Sequence, residues 1–259
     1  MTAPQLISSR DNPQLRALRK LSGDNTGYRK SGRVWVEGEH LCSAALVRGV
    51  RPAMAVVAQS LWADGHSPWA GVASSTLVLP DALFKGISAL ESPAAIGFVM
   101  DVPVPDALDP AAASVVLDRV QDAGNVGSIL RSAAAFGFKQ VIALPGTAAL
   151  WSPKVLRAAM GAHFGLTLFE GLDEQAFADL RLPLVATSSH AGALIQDAQL
   201  PFPCAWVLGH EGQGVSPALM ARAALQVRIG QPGGEESLNV AAAAAICLHA
   251  SAVSAIPRK

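Results

Sequence analysis

The sequence predicts two α/β units, the second built on a parallel sheet, and three features point there. From residue 114 onward, short β-branched runs alternate with helical segments, the pattern of strand–crossover–strand units whose strands run parallel. Before residue 100 the same alternation occurs on a smaller scale. Between the two lies 101–113, DVPVPDALDPAAA, with three prolines and no periodicity, the composition of a linker. The expected organisation is a smaller unit over 1–100, a linker over 101–113 and a larger unit over 114–259.

The elements follow in order. Residues 12–21 read as a short basic helix, with Asp11 or Asn12 as N-cap and Pro13 in the first turn, where its missing N–H has no helical partner to lose. Residues 33–37, RVWVE, alternate as a strand, and 38–47 read as a helix. Short strands are expected at 53–58, 76–79 and 95–100. In the second unit, 114–117 is an apolar run suited to a buried strand, followed by a glycine-bearing loop and a helix from about 126 to 136 that Gly137 ends. Further strands are expected at 140–144, 184–187, 205–208 and 225–229. The final helix, 238–254, is apolar nearly all round, so it belongs in a core or a subunit interface. No internal repeat is present.

Composition sets limits. The 259 residues are 51% hydrophobic and 15% charged, which excludes a disordered chain and allows a sizeable core. Cys42, Cys204 and Cys247 are few, odd in number and far apart, so they read as small buried hydrophobes in a reducing compartment, and no metal-ligand spacing appears. The N-terminal residues carry no apolar run of signal-peptide length, and the apolar stretch 240–256 is shorter than the ~20 residues of a membrane span. A cytoplasmic protein with no membrane partner is expected. One tyrosine and 5% aromatics leave little for a base-stacking platform.

Twenty basic side chains balance twenty acidic ones, which at first disfavours a polyanionic partner. The balance is a cancellation. Residues 1–33 hold Arg10, Arg16, Arg19, Lys20, Arg29, Lys30 and Arg33 against Asp11 and Asp24, a net of +5. The 208 residues after Arg51 carry 11 basic and 16 acidic side chains, a net of −5. Such asymmetry fits a phosphate-facing segment on an acidic body, and equally a solvated helix face.

Three glycine-bearing segments each follow a strand of the second unit, the position at which open α/β sheets bind ligands: 117–138, 206–216 and 228–245. None carries a GxGxxG or GxxxxGK[ST] fingerprint; GQGVSP at 212–217 breaks the first at its last position, so a nicotinamide-type site is excluded. Asn125 stands at a helix entrance, where it serves as an N-cap or as a ligand group. Arg131 lies inside the helix as an exposed charge or a functional one. Glu211 and His210 fit a plain turn, and Ser237 and Asn239 fit caps of the last helix. Alone each residue is weak; together, in this order and spacing, they are specific.

These residues resemble those of the SpoU/TrmH family of RNA ribose 2′-O-methyltransferases in the SPOUT superfamily. The first family motif corresponds to Asp122, Asn125, Gly127, Arg131 and Phe136–Gly137, with Ala123 where the family often has proline. The second corresponds to Gly209, Glu211 and Gly214, and the third to Ser237, Leu238, Asn239 and Val240. NPQLRALRKL and WVEGEHL are similar to the family's N-terminal substrate-binding domain, more in its rRNA-modifying than its tRNA-modifying branch.

The resemblance implies a parallel SPOUT-type sheet with a deep C-terminal trefoil knot, a smaller N-terminal α/β RNA-binding domain, and S-adenosylmethionine bound in bent form at Thr187, Gly209, Ile229 and Leu238. It implies a homodimer through the C-terminal domain, with Arg131 serving a neighbour's cofactor site, and RNA, most naturally rRNA, as substrate. Arg131, Asn125, Glu211, Ser237 and Asn239 become the candidate catalytic set. Arg131 acts either as base or by binding phosphate and stabilising alkoxide, since a free guanidinium has a pKa above about 12. The seven basic residues of 1–33 are the candidate RNA contacts. The alternatives are a tRNA 2′-O-methyltransferase and a non-catalytic RNA-binding assembly factor that keeps the fold.

Overall fold

The computed structural model describes residues 3–62, 67–88, 90–177, 180–188, 192–233 and 237–256. The chain divides into two compact units, Met1–Val104 with Trp151–Phe164, and Pro105–Leu150 with Gly165–Lys259.

In the first unit the strands are β1 (Gln5–Leu6), β2 (Arg33–Glu37), β3 (Met54–Ala58), β4 (Ser75–Leu79) and β5 (Ile96–Asp101). They form a mixed sheet in the order β1-β4-β3-β5-β2, with β5 antiparallel to both neighbours. The helices among them are α1 (Pro13–Gly23), α2 (Tyr28–Ser31), α3 (Glu39–Val47), α4 (Gln59–Trp62) and α5 (Asp81–Lys85). Asn12, not Asp11, caps α1: its side chain accepts from the Gln14 N–H, with Pro13 next. Leu15 and Leu18 turn one face of α1 into a core with Trp35, Val56, Leu77 and Phe84, leaving Arg16 and Lys20 outward. Glu37, buried, accepts from Trp35 Nε1 at 3.0 Å and from the Ser88 hydroxyl, which explains a carboxylate in the buried part of β2.

The second unit holds β6 (Ser114–Leu117), β7 (Gln140–Ala143), β8 (Thr167–Glu170), β9 (Leu184–Thr187), β10 (Ala193–Leu194), β11 (Ala205–Leu208) and β12 (Leu225–Arg228). All pair in parallel, in the order β10-β12-β9-β11-β6-β7-β8. An α/β fold with a parallel sheet is therefore present. The chain steps from β6 outward through β7 to β8, then crosses to the other side of β6, making β6 the point where strand order reverses. Residue 109, within the proline-rich stretch, is tied to this sheet, because its backbone exchanges two hydrogen bonds with the buried Gln140 side chain.

α6 (Ala123–Ala135) starts three residues before the position expected from periodicity. Asp122 caps it, accepting from the Asn125 N–H at 2.8 Å, so Asn125 is a first-turn residue and not the cap. Phe136 and Gly137 (φ +83°) end it as expected. The short helices α7 (Pro153–Ala159) and α8 (Pro217–Arg222) and the strands β8 and β10 lack a periodicity long enough to read; α7 groups with the first unit, against β2. The last helix, α9 (Val240–Ser254), packs on α6 and β11 through Ala244, Cys247, Leu248 and Ser251. Ser251 Oγ accepts from Trp206 Nε1 at 2.9 Å, satisfying both polar groups in the core. The three cysteines are buried and unpaired, and burial pushes the Cys204 thiol up to about 11 and that of Cys247 to about 12. No helix among the described residues is long and apolar enough to cross a membrane.

Candidate active site

The three glycine-bearing loops leave the C-terminal ends of β6, β11 and β12, strands far apart in sequence but close in the sheet. The middle loop is the tightest. His210 and Gly214 exchange backbone hydrogen bonds at 3.1 and 2.8 Å, and His210 Nδ1 accepts from the N–H groups of Gly212 and Gln213. His210 thus shapes the turn. Gly209 must be glycine, since a Cβ there would lie 2.1–2.4 Å from the backbone of Gly214 and Val215.

This turn aims Glu211 at the first loop. Its Oε1 accepts from the Asp122 N–H at 3.0 Å and from Asn125 Nδ2 at 3.1 Å, and its Oε2 accepts from the Gln121 N–H at 3.1 Å. Desolvation raises this carboxyl's pKa, but the hydrogen bonds to its ionised form outweigh it and hold the value at about 2. Asn125 Oδ1 in turn accepts from Asn239 Nδ2 at 2.9 Å, and Asn239 Oδ1 accepts from the N–H groups of Ala241 and Ala242. One chain of side-chain hydrogen bonds, Glu211 to Asn125 to Asn239, joins all three loops. The capping role expected as an alternative for Asn239 and its role in the network are the same geometry.

Beside this chain lies a cavity of about 430 Å³, within the volume range of small-molecule sites. Thr187, Gly209, Ile229 and Leu238, the four residues expected at a cofactor, all line it, as do Glu211 and Ser237. Ile229, Leu238, Val240 and Ala243 give it an apolar wall; Thr187, Ser188, Gln231 and Ser237 supply hydroxyl and amide groups. Arg131 is exposed on α6 and is absent from both the cavity lining and the partners of Glu211.

Sequence reading missed Asp118 and Arg119, which follow β6. Asp118 is nearly buried and accepts from the Ser216 N–H at 2.6 Å; Arg119 bonds Asp118 and Gln213. A carboxylate directly after a buried strand was the available signal. It also missed Ser188 and Gln231, which no spacing distinguishes from loop residues.

In the first unit, Arg10, Arg16, Lys20, Arg29, Lys30 and Arg33 are exposed. Arg19 is half-buried, and its guanidinium donates to the carbonyls of Gly86 and Arg10. Arg33 faces Asp101 at 3.0 Å, and the Arg29 guanidinium lies 5.8 Å from the Tyr28 ring.

Comparison with known proteins follows the same lines. The profile of the SpoU rRNA Methylase family matches residues 112–249. The chain is 29% identical to the 23S rRNA (guanosine(2553)-2′-O)-methyltransferase RlmP of Bacillus subtilis, over 94% of this chain and 97% of that protein. Among solved structures, an RNA 2′-O ribose methyltransferase superposes with a TM-score of 0.79 at 29% identity, covering 96% of this chain and 99% of its own. A putative RNA methyltransferase of the TrmH family from Porphyromonas gingivalis superposes with a TM-score of 0.78 at 31% identity, covering 92% of this chain and 96% of its own.

Proposed function

Because the chain belongs to the SpoU rRNA Methylase family, we propose that it methylates a ribose 2′-hydroxyl of ribosomal RNA with S-adenosylmethionine as donor. The observation that carries this reading is the joining of the three loops by Glu211, Asn125 and Asn239 beside a cavity lined by every residue expected at the cofactor. The lining fits that group: an apolar wall for a heterocycle, hydroxyl and amide groups for ribose and amine, and an ionised Glu211 as complement to a cation.

S-adenosylmethionine supplies an electrophilic methyl group; the protein orients the acceptor oxygen and handles its proton. Thr187, Gly209, Ile229 and Leu238 hold the donor. Asn125 and Asn239, already locked to each other, and Ser237 order the loop that meets the ribose. Glu211 holds the first loop's entrance into α6 and so fixes the helix that carries Arg131. Arg131 is the residue on which transfer depends, as base or as cation for phosphate and alkoxide.

The same reading makes the enzyme a homodimer through the C-terminal domain, in which Arg131 serves the partner's cavity. Two facts support it: Arg131 lines no part of its own chain's cavity, and Ile246 and Val253 remain about two-fifths exposed on α9, a helix without Lys, Arg, Asp or Glu. It also makes the path from β12 to α9 a trefoil knot. Support comes from the strand order: β12 lies beyond β9, yet α9 returns to α6 and β11. The basic surface of the first unit is the RNA contact, the segment 101–113 separates the two domains, and the protein acts in the cytoplasm.

The test is a map of ribose methylation on total RNA from a strain lacking this gene and from its parent. Loss of one rRNA methyl group is expected; an unchanged map overturns the reading. Absence of S-adenosylmethionine binding by calorimetry turns it toward a non-catalytic RNA-binding protein.

A further inference from the structure

Arg119 sits in the left-handed region at φ +60°, a conformation that costs most L-residues and suits glycine. The reason is visible in its contacts. Successive residues of an extended strand point to opposite faces. The left-handed turn after β6 instead folds the Arg119 guanidinium back onto its neighbour, so that Nε donates to Asp118 Oδ1 at 2.9 Å. From there Nη1 reaches Gln213 Oε1 at 2.8 Å, while Asp118 Oδ2 accepts from the Ser216 N–H. The start and end of 213–216 are thereby tied to 118–119, and Glu211 ties the same turn to 121–125. Gln213 and its neighbours 209–214 form one wall of the cavity.

This arrangement is a poor way to gain stability. Asp118 is buried at 4% exposure but the Arg119 side chain is 33% exposed, so solvent screens the pair from one side, and an unstrained backbone at 119 would serve stability better. Backbone strain that stability does not repay collects where geometry matters to function. We propose that Arg119 is a positioning residue: with Asp118 and Gln213 it pre-orders the 209–216 turn for cofactor binding, and its strained backbone is retained for that purpose. The inference rests on the function proposed above and adds to it the residues that set the cavity wall before the cofactor arrives.

Arg119→Gly separates the two roles, because glycine removes the strut while relaxing the backbone. If the turn then occupies its binding-competent form about a tenth of the time, the apparent Kd for S-adenosylmethionine rises about tenfold. The expected result is that rise by calorimetry, with only a small change in Tm, since relaxing φ at 119 offsets loss of the partner of buried Asp118, and with faster amide exchange confined to 209–216. Gln213→Ala, which leaves residue 119 untouched, weakens binding in the same way, and the double variant is no worse than Arg119→Gly alone. Arg119→Lys keeps the charge on Asp118 without the fork that reaches Gln213 and falls between. An unchanged Kd in Arg119→Gly, or a lowered Tm with exchange accelerated throughout the sheet, overturns the proposal. Wild-type protein that binds no S-adenosylmethionine overturns the proposed function instead, and the exchange pattern still decides whether Arg119 orders the turn.

Discussion

The two charged regions of this molecule are built on opposite plans. In the second unit, Glu211, Asn125 and Asn239 come from three loops and are held by hydrogen bonds of 2.9–3.1 Å. In the first, six basic side chains stand exposed on α1, α2 and the strand and loop beside them, and Arg33 faces Asp101 at 3.0 Å. The first plan suits chemistry, in which a misplacement of an ångström is expensive. The second suits a phosphate backbone, which attracts by long-range charge and tolerates imprecise placement. Substitutions should therefore act locally and steeply in one region, and additively and through salt in the other.

The steepest expected effect is at Arg131. Arg131→Ala should lower methyl transfer by about 10²–10⁴-fold, the usual range for a lost proton-transfer group. Activity within tenfold of wild type would remove it from the catalytic set. Neutralising Arg16, Lys20, Arg29 and Lys30 together comes next. RNA affinity should fall and its salt dependence flatten by up to about 0.7 per lost contact for a single-stranded target, with cofactor binding untouched. Adding Arg19→Ala is expected to act differently, by lowering Tm, since its guanidinium braces Gly86 and Arg10. Equal loss of RNA and cofactor binding would erase the contrast between the regions.

The smallest effect is on stability against pH. Glu211 is held at about 2 against an ordinary value of 4.5, so its folded form favours the ionised carboxylate. Its stabilising contribution is complete above about pH 4.5 and is lost as pH falls toward 2. Because the group is largely exposed, the contribution is modest. Acid unfolding curves of wild type and Glu211→Gln should converge below pH 2 and separate above 4.5; parallel curves would show that the carboxylate's charge does not hold the loop.

Much of this was legible in advance, for identifiable reasons. Strands 33–37, 114–117, 184–187 and 205–208 were readable because each is a short apolar or alternating run bounded by polar residues or breakers. Glycines 209 and 214 flanking Glu211 signalled a tight turn with a projecting acid. Asn125 was harder. Both Asp122 and Asn125 have capping side chains, and only the backbone conformation at Asp122 selects it. α7 carries a serine cap and a proline start, but at seven residues it has no period to detect.

By itself the sequence determined the parallel α/β character of the second unit, its three loops and the split of charge, because these follow from local pattern, breaker residues and composition. Only the tertiary structure decided that Glu211 serves Asn125 and the first loop, that Arg19 is a brace, that α7 packs in the first unit and that Arg119 takes a left-handed turn. Those outcomes depend on which strand ends the sheet order brings together. Residues 86 to 114 positions apart acquire their hydrogen bonds only after the crossovers have closed, and no local signal encodes a partner at that range.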